Sequence, residues 1–326
     1  MNTEQLPHTI KGPRIEYIDL AKGICILLVV LFHLKEMYKV HSCLDVYLYS
    51  ILIPLYFFLS GYVFKTYGGW KEFILKKIKR LIIPFAFFYI TTSVLIPITA
   101  HHFFGINFRS GQDWRLIYAF LTYGSFPNIP LWFLWGLFIL NIIFFALHRT
   151  FRNDIILGGM CILLCFILGD TFKLPASLSK TFQGLPFFYF GYVVHNHNIM
   201  SHIKGRYAFP ITAAMFISIG MIGESIFDIP LKMLMSAFGV MSLLIICRKF
   251  KHVPYVSYVG RYSIMVLVTH EPMIRLLNVF HVHNIYICFL IIAISYFAII
   301  PFMRKFMPHV TAQKQFLTRK KYEYGK

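Results

Sequence analysis

The sequence predicts an all-α, polytopic transmembrane helical bundle of about ten membrane-spanning helices with both termini cytoplasmic. Three observations carry that prediction. The 326 residues are 58% hydrophobic and only 14% charged, with a mean hydropathy of +0.65, whereas a soluble domain carries about a quarter charged residues. Apolar runs long enough for a hydrocarbon layer of about 30 Å recur along the chain. The basic residues fall between those runs and strongly favour one side of the membrane.

The runs lie at 16–36, 44–64, 81–100, 131–147, 155–169, 181–196, 207–225, 231–247, 257–280 and 284–303. The fourth to sixth are short, and Pro186, Pro210 and Pro272 sit in or near spans as candidate kinks. Between the second and third runs, Lys71 to Arg80 reads as a basic surface helix. Phe73, Ile74, Ile78 and Leu81 are expected to face lipid, and Lys76, Lys77, Lys79 and Arg80 to face anionic headgroups. The longest segment between runs, from about His101 to Pro130, is punctuated by glycine and proline and is a candidate lid. The chain therefore reads as one integral membrane domain over 1–326, with a polar N-terminal tail 1–14 and a basic C-terminal tail 304–326.

Alternating the loops across the membrane tests the count independently of hydropathy. One side receives 23 Lys and Arg, including six between Lys65 and Arg80 and seven from Arg304 onward. The other side receives eight, namely Lys35, Lys39, Arg109, Arg115, Lys173, Lys180, Lys232 and Arg275, with Lys22 inside the first run. The excess side is cytoplasmic by the positive-inside rule. The formal net charge of +19 is thus a topology signal rather than a nucleic-acid footprint. No removed signal peptide is expected, because Asp19 and Lys22 interrupt the first run and no small-residue cleavage site follows. The six cysteines show no zinc spacing, His195, His197 and His202 read as surface histidines, and no metal is called for.

Ionisable residues within apolar helices are costly and are candidate functional groups. In IEYIDLAKGICILLVVLFHLKE, the eleven residues from Lys22 to His33 make three turns plus about 20° and rise roughly 16 Å, so both lie on one helix face. Asp19, 60° from Lys22, can pair with it at the cytoplasmic start of a functional polar stripe, or the two form a helix-locking pair with no chemistry. His33 is either a base or an interfacial imidazole satisfied by water. In YSIMVLVTHEPMIR, His270 and Glu271 precede Pro272, which withholds a backbone donor and frees a carbonyl one turn back. Glu271 either fixes an imidazole or pairs with Arg275 four residues on. The two histidines, His33 and His270, lie at outer helix ends where they can share a pocket. Ser60–Gly61 in PLYFFLSGYVF permits close helix approach. In the outer segment, His102, Arg109, Asp113 and Arg115 are suited to a polyhydroxylated ligand, and Trp132 either lines that cavity or belongs to an aromatic belt.

Four motifs together resemble the membrane-bound acyltransferase type 3 family, in particular its fucose 4-O-acetylase-like O-acetyltransferases. YIDLAKGICILLVVLFH at 17–33 resembles that family's first-helix signature, a basic residue, ten intervening residues and a histidine, here Lys22 and His33. Many members have arginine at the first position, so Lys22 is a departure. IPLYFFLSGYVF at 53–64, LWFLWGLFI at 131–139 and YVGRYSIMVLVTHEP at 258–272 complete the resemblance, which spans most of the chain. It implies a ten-helix domain in the bacterial cytoplasmic membrane with no permanently bound cofactor. It also implies an acyl-CoA donor, acetyl-CoA first, from the cytoplasm, and transfer to a hydroxyl of an extracytoplasmic or lipid-linked glycan. On that reading His33 is the general base, with Lys22, His270 and Glu271 in the catalytic set. Arg14, Lys22, Ser60 and Gly61 border the donor, while His102, Arg109, Asp113, Arg115 and Trp132 border the acceptor. The competing reading is a small-solute or proton-coupled transporter in which Asp19, Lys22 and His33 mark a translocation path.

Overall fold

A computed structural model describes residues 15–66, 69–96, 102, 128–172, 174–221 and 229–313. Among these the chain is all-α. Helices α1 (Glu16–Met37) and α2 (Asp45–Tyr62) form a hairpin. Next, α3 (Trp70–Lys77) and α4 (Ile83–Ile90) run on through a π-helical turn at Ile78–Ile82, and a second π turn follows at Thr91–Leu95. A 3-10 turn at Ile129–Leu131 starts α5 (Trp132–Thr150). Helix α6 (Asp154–Leu164) continues as a π segment, Cys165–Thr171. Then come α7 (Leu178–Gln183), α8 (Leu185–Asn196), α9 (Ile199–His202), α10 (Gly205–Met221) and α11 (Ile229–Phe250). Helices α12 (Pro254–Arg261), α13 (Ser263–Val279) and α14 (Ile285–Phe306) complete the bundle.

Five helices are long and apolar enough to cross a membrane: Glu16–Met37, Asp45–Tyr62, Ile129–Thr150, Pro230–Phe250 and Ile285–Phe306. The molecule is a multi-spanning helical membrane bundle. The remaining predicted runs also fall on helix, but on helix interrupted at identifiable residues. Gly184 separates α7 from α8, Tyr262 separates α12 from α13, and π turns divide the α3–α4 rod and follow α6. Pro186 does not kink a span. It occupies the first turn of α8, where its missing N–H costs nothing. Pro210 and Pro272 do lie inside helices. The last nominal residues of the third run, 97–100, and of the seventh, 222–225, are outside the described residues, as is the candidate lid apart from His102 and 128–130.

The outermost helix shows how lipid-facing and protein-facing sides are written in the sequence. On α14, Cys288, Ile292, Tyr296, Ile300 and Met303 are buried at helical spacing, while Tyr286, Leu290, Ile294, Phe297 and Phe302 are exposed. Both sides are apolar because the exposed one meets hydrocarbon, so hydropathy alone cannot tell them apart.

Helix approach is closest where glycines meet. The most extensive pairs among the described helices are α2 with α8 and α1 with α12. Gly61 of α2 lies where a Cβ would be 1.8 Å from the Phe188 carbonyl oxygen, and Gly191 of α8 where a Cβ would be 1.9 Å from that of Phe58. Between α1 and α12, Gly23 faces the Val256 carbonyl and Gly260 the Asp19 carbonyl, each with a hypothetical Cβ at 1.9 Å. Association in lipid is driven by such close packing rather than by hydrophobic exclusion.

One expectation for the basic helix is corrected. Phe73 does not face lipid. It is fully buried and stacked on Phe145 with ring centroids 4.1 Å apart. Lys77 is turned inward with it, donating to Asn141 Oδ1 at 2.6 Å and lying 5.2 Å from the Phe73 ring. The short α3 packs on α5, so one turn of this segment belongs to the protein core.

Candidate functional site

Helix α1 carries His33 three turns beyond Lys22 on the same face, and α13 packs beside it. The two helices bring His33, His270 and Glu271 together. The imidazole rings of His33 and His270 lie 5.2 Å apart, tilted by 50°. Glu271 Oε2 is 3.8 Å from His33 Nδ1. Its other oxygen, Oε1, accepts from Arg275 Nη2 at 2.8 Å and Nε at 3.1 Å. The i,i+4 pair with Arg275 is thus present, while Oε2 faces the His33 ring at a distance longer than a hydrogen bond. The two Arg275 donors converge on Oε1 alone, which anchors that oxygen and leaves Oε2 on the His33 side.

His270 is fully buried, and its Nδ1 is 2.8 Å from the Val266 carbonyl oxygen. A carbonyl only accepts, so Nδ1 carries the proton and the neutral ring presents the Nε2 lone pair. Nε2 has no hydrogen-bond partner among the described residues. A buried polar atom of this kind calls for a donor, which a water or another hydroxyl can supply. His33 is less enclosed, with 16% of its side chain accessible, and Phe32 packs edge-on against it at 5.0 Å.

Pro272 lies within α13 and cannot donate to the Val268 carbonyl four residues back. The Asn128 side-chain amide replaces it, its Nδ2 donating to Val268 O at 3.0 Å. Asn128 is 1% exposed and precedes the turn that begins α5. It thus ties the start of α5 to the helix turn that carries His270 and Glu271. Sequence reading singled out Pro272 but missed Asn128, whose only signal was the turn-forming PNIP string. Asn128→Ala leaves that carbonyl unsatisfied and is expected to lower stability by about 1–3 kcal/mol. Adding Pro272→Ala restores a backbone donor, so the double variant recovers much of the loss in thermal unfolding. A double variant no more stable than Asn128→Ala would rule out this pairing.

The remaining predicted residues fall elsewhere. Lys22 is half-buried about 16 Å along α1 from His33, and Tyr56 OH donates to its carbonyl at 3.2 Å. Asp19, buried beside it, has Oδ2 3.8 Å from Arg261 Nε. Ser60 and Gly61 lie at the end of α2 that the hairpin brings to the Lys22 end of α1. At Gly61 the α8 backbone fills the space. Gly184 is likewise closed off, by the Phe57 ring, where a Cβ would be 2.3 Å from a ring carbon. Trp132 is buried, with Lys180 Nζ 5.7 Å from its ring. His102 is exposed, and Arg14, Arg109, Asp113 and Arg115 lie outside the described residues. His197 Nε2 pairs with Asp154 Oδ2 at 2.9 Å on the surface.

The fold and this cluster define a multi-spanning membrane protein in which a half-buried histidine on the first helix meets a buried histidine and a carboxylate on a helix late in the chain. A family model described as an acyltransferase domain matches residues 15–304, a stretch that begins with α1 and contains every member of the cluster. The chain belongs to this type 3 acyltransferase family. No curated protein and no solved structure matches it.

Proposed function

We propose that the protein is an O-acyltransferase that moves an acetyl group from cytoplasmic acetyl-CoA to a hydroxyl of an extracytoplasmic or lipid-linked glycan, with His33 as general base. The observation that carries this reading is the meeting of His33, His270 and Glu271 between α1 and α13 in a chain of the acyltransferase family. The proposed topology has ten spans, both termini cytoplasmic, in a bacterial cytoplasmic membrane. It is supported by the 23-to-8 division of basic residues.

In this mechanism a neutral His33 takes the proton from the acceptor hydroxyl, and the oxygen attacks the thioester carbonyl carbon. The carbon–sulfur bond then breaks, and the departing CoA thiolate receives the proton held by the imidazolium. The sugar ester and CoA thiol are the products. Glu271, 3.8 Å from His33 Nδ1, orients the ring and offsets the charge formed on it. The Nε2 lone pair of His270 accepts from a neighbouring hydroxyl and so orients the acceptor. Lys22, Arg14, Ser60 and Gly61 lie toward the cytoplasmic end of this topology, where the phosphates of CoA enter. His102, Arg109, Asp113, Arg115 and Trp132 belong to the acceptor side. The distance from Lys22 to His33 requires the pantetheine arm to thread beside α1.

The test is transfer itself. Membranes containing the protein are incubated with radiolabelled acetyl-CoA, or in a parallel arm succinyl-CoA, and a panel of candidate glycans. Label appearing as an alkali-labile ester on a glycan is the expected result. Uptake of a glycan into vesicles without labelling from either donor would favour a transporter.

A further inference from the structure

A second site lies at the other end of the bundle from His33. The first turn of α10 and the last turn of α11 enclose a cleft of about 670 Å³. Its lip carries Arg206 and Lys249, both exposed, and its wall is formed by Phe209, Ile245 and Ile246. Arg248 also lines it, but that guanidinium donates to the carbonyls of Met200 and Ile203 and so holds the cleft's rim to α9. At Gly205 a Cβ would come within 3.2 Å of Ile245 Cγ2, a tight side-chain contact at the cleft. The outward flank of α10 is apolar and exposed at Ile211 and Met215, so the cleft adjoins a lipid-facing surface.

We infer that this cleft binds an anionic phospholipid, its headgroup phosphate between Arg206 and Lys249 and an acyl chain along Phe209, Ile245 and Ile246. Two cations above an apolar wall match the order of groups in such a lipid at the membrane interface. On the topology proposed above this end is cytoplasmic, and basic pockets between helices at that leaflet suit anionic headgroups. A soluble phosphate ester would use the lip but leave the apolar wall without an occupant. The inference rests on that orientation and not on the acyl-transfer chemistry.

The purified protein in detergent is titrated with phosphatidylglycerol or phosphatidylcholine, and bound lipid is counted by native mass spectrometry. Phosphatidylglycerol is expected to be retained in preference to phosphatidylcholine. Arg206→Ala with Lys249→Ala is expected to weaken it by about five-fold for each cation removed, about 25-fold together. Ile246→Trp, which fills the cleft without changing charge, is expected to reduce retention as well. An equal loss in Arg149→Ala with Arg152→Ala, two exposed cations of another loop, would show diffuse attraction and overturn the site. Full retention in Ile246→Trp would do the same. Displacement of the lipid by millimolar inorganic phosphate or CoA would assign the lip to a soluble phosphate instead. Labelled acetyl transfer measured on the same preparations separates a failure here from a failure of the enzymatic reading.

Discussion

His33→Gln is expected to lower acyl transfer by about 10²–10⁴-fold, the range for removing a positioned general base, while leaving the protein folded. Glutamine fills a similar volume and can still donate toward Glu271, but its amide does not take a proton from a sugar hydroxyl at neutral pH. Glu271 keeps its forked contact with Arg275 at 2.8 and 3.1 Å, so no buried charge is stranded, and thermal unfolding should stay near that of the parent. The measurement is the initial rate of labelled ester formation at matched protein amounts, with unfolding recorded on the same samples. Glu271→Gln should give a smaller loss than His33→Gln, because Glu271 acts on the substrate through His33. A His33→Gln rate within threefold of the parent would remove the base assignment. A loss of rate matched by a loss of folded protein would reassign His33 to packing.

Helical arithmetic makes one member of this site, His33, legible in the sequence. A step of eleven residues fixes Lys22 and His33 on one face regardless of what surrounds the helix. It could not say what that face meets. His270 lies 237 positions beyond His33 in the chain, and only packing of α13 on α1 brings their rings to 5.2 Å. Pro272 similarly announced a freed carbonyl, yet its donor, Asn128, is 140 residues from Val268. The segment around Phe73 is ambiguous in the sequence for a different reason. An interfacial helix and a helix tucked under a bundle both interleave cations with aromatics. The difference is the neighbour, here Phe145 and Asn141 of α5. The membrane blurs the remaining signal, since exposed and buried faces are both apolar, as α14 shows.

The same packing logic gives the largest expected effect on stability, at Gly260. An alanine there would place its Cβ 1.9 Å from the Asp19 carbonyl oxygen and 2.5 Å from the Gly23 nitrogen. Both are backbone atoms of α1 that no rotamer change can move. Alanine is favoured over glycine in a helix by about 1 kcal/mol, so the local term is stabilising and must be overcome. Overpacking typically costs about 1–3 kcal/mol and sometimes more. Relief at Gly260 requires whole helices to part, so Gly260→Ala should show a net loss of about 2 kcal/mol or more. Gly159→Ala is the matched control. That glycine lies in α6 with nothing within 4 Å of a built Cβ, so only propensity acts and stability should rise slightly. The consequence for activity follows from connectivity. Gly260 sits just before Tyr262, where α12 gives way to α13 and its His270 and Glu271. Parting α12 from α1 therefore shifts Glu271 relative to His33, and transfer by Gly260→Ala should fall even below the temperature at which it unfolds. A Gly260→Ala protein that unfolds with the parent and turns over at the parental rate would show that this contact does not set the register between the two helices.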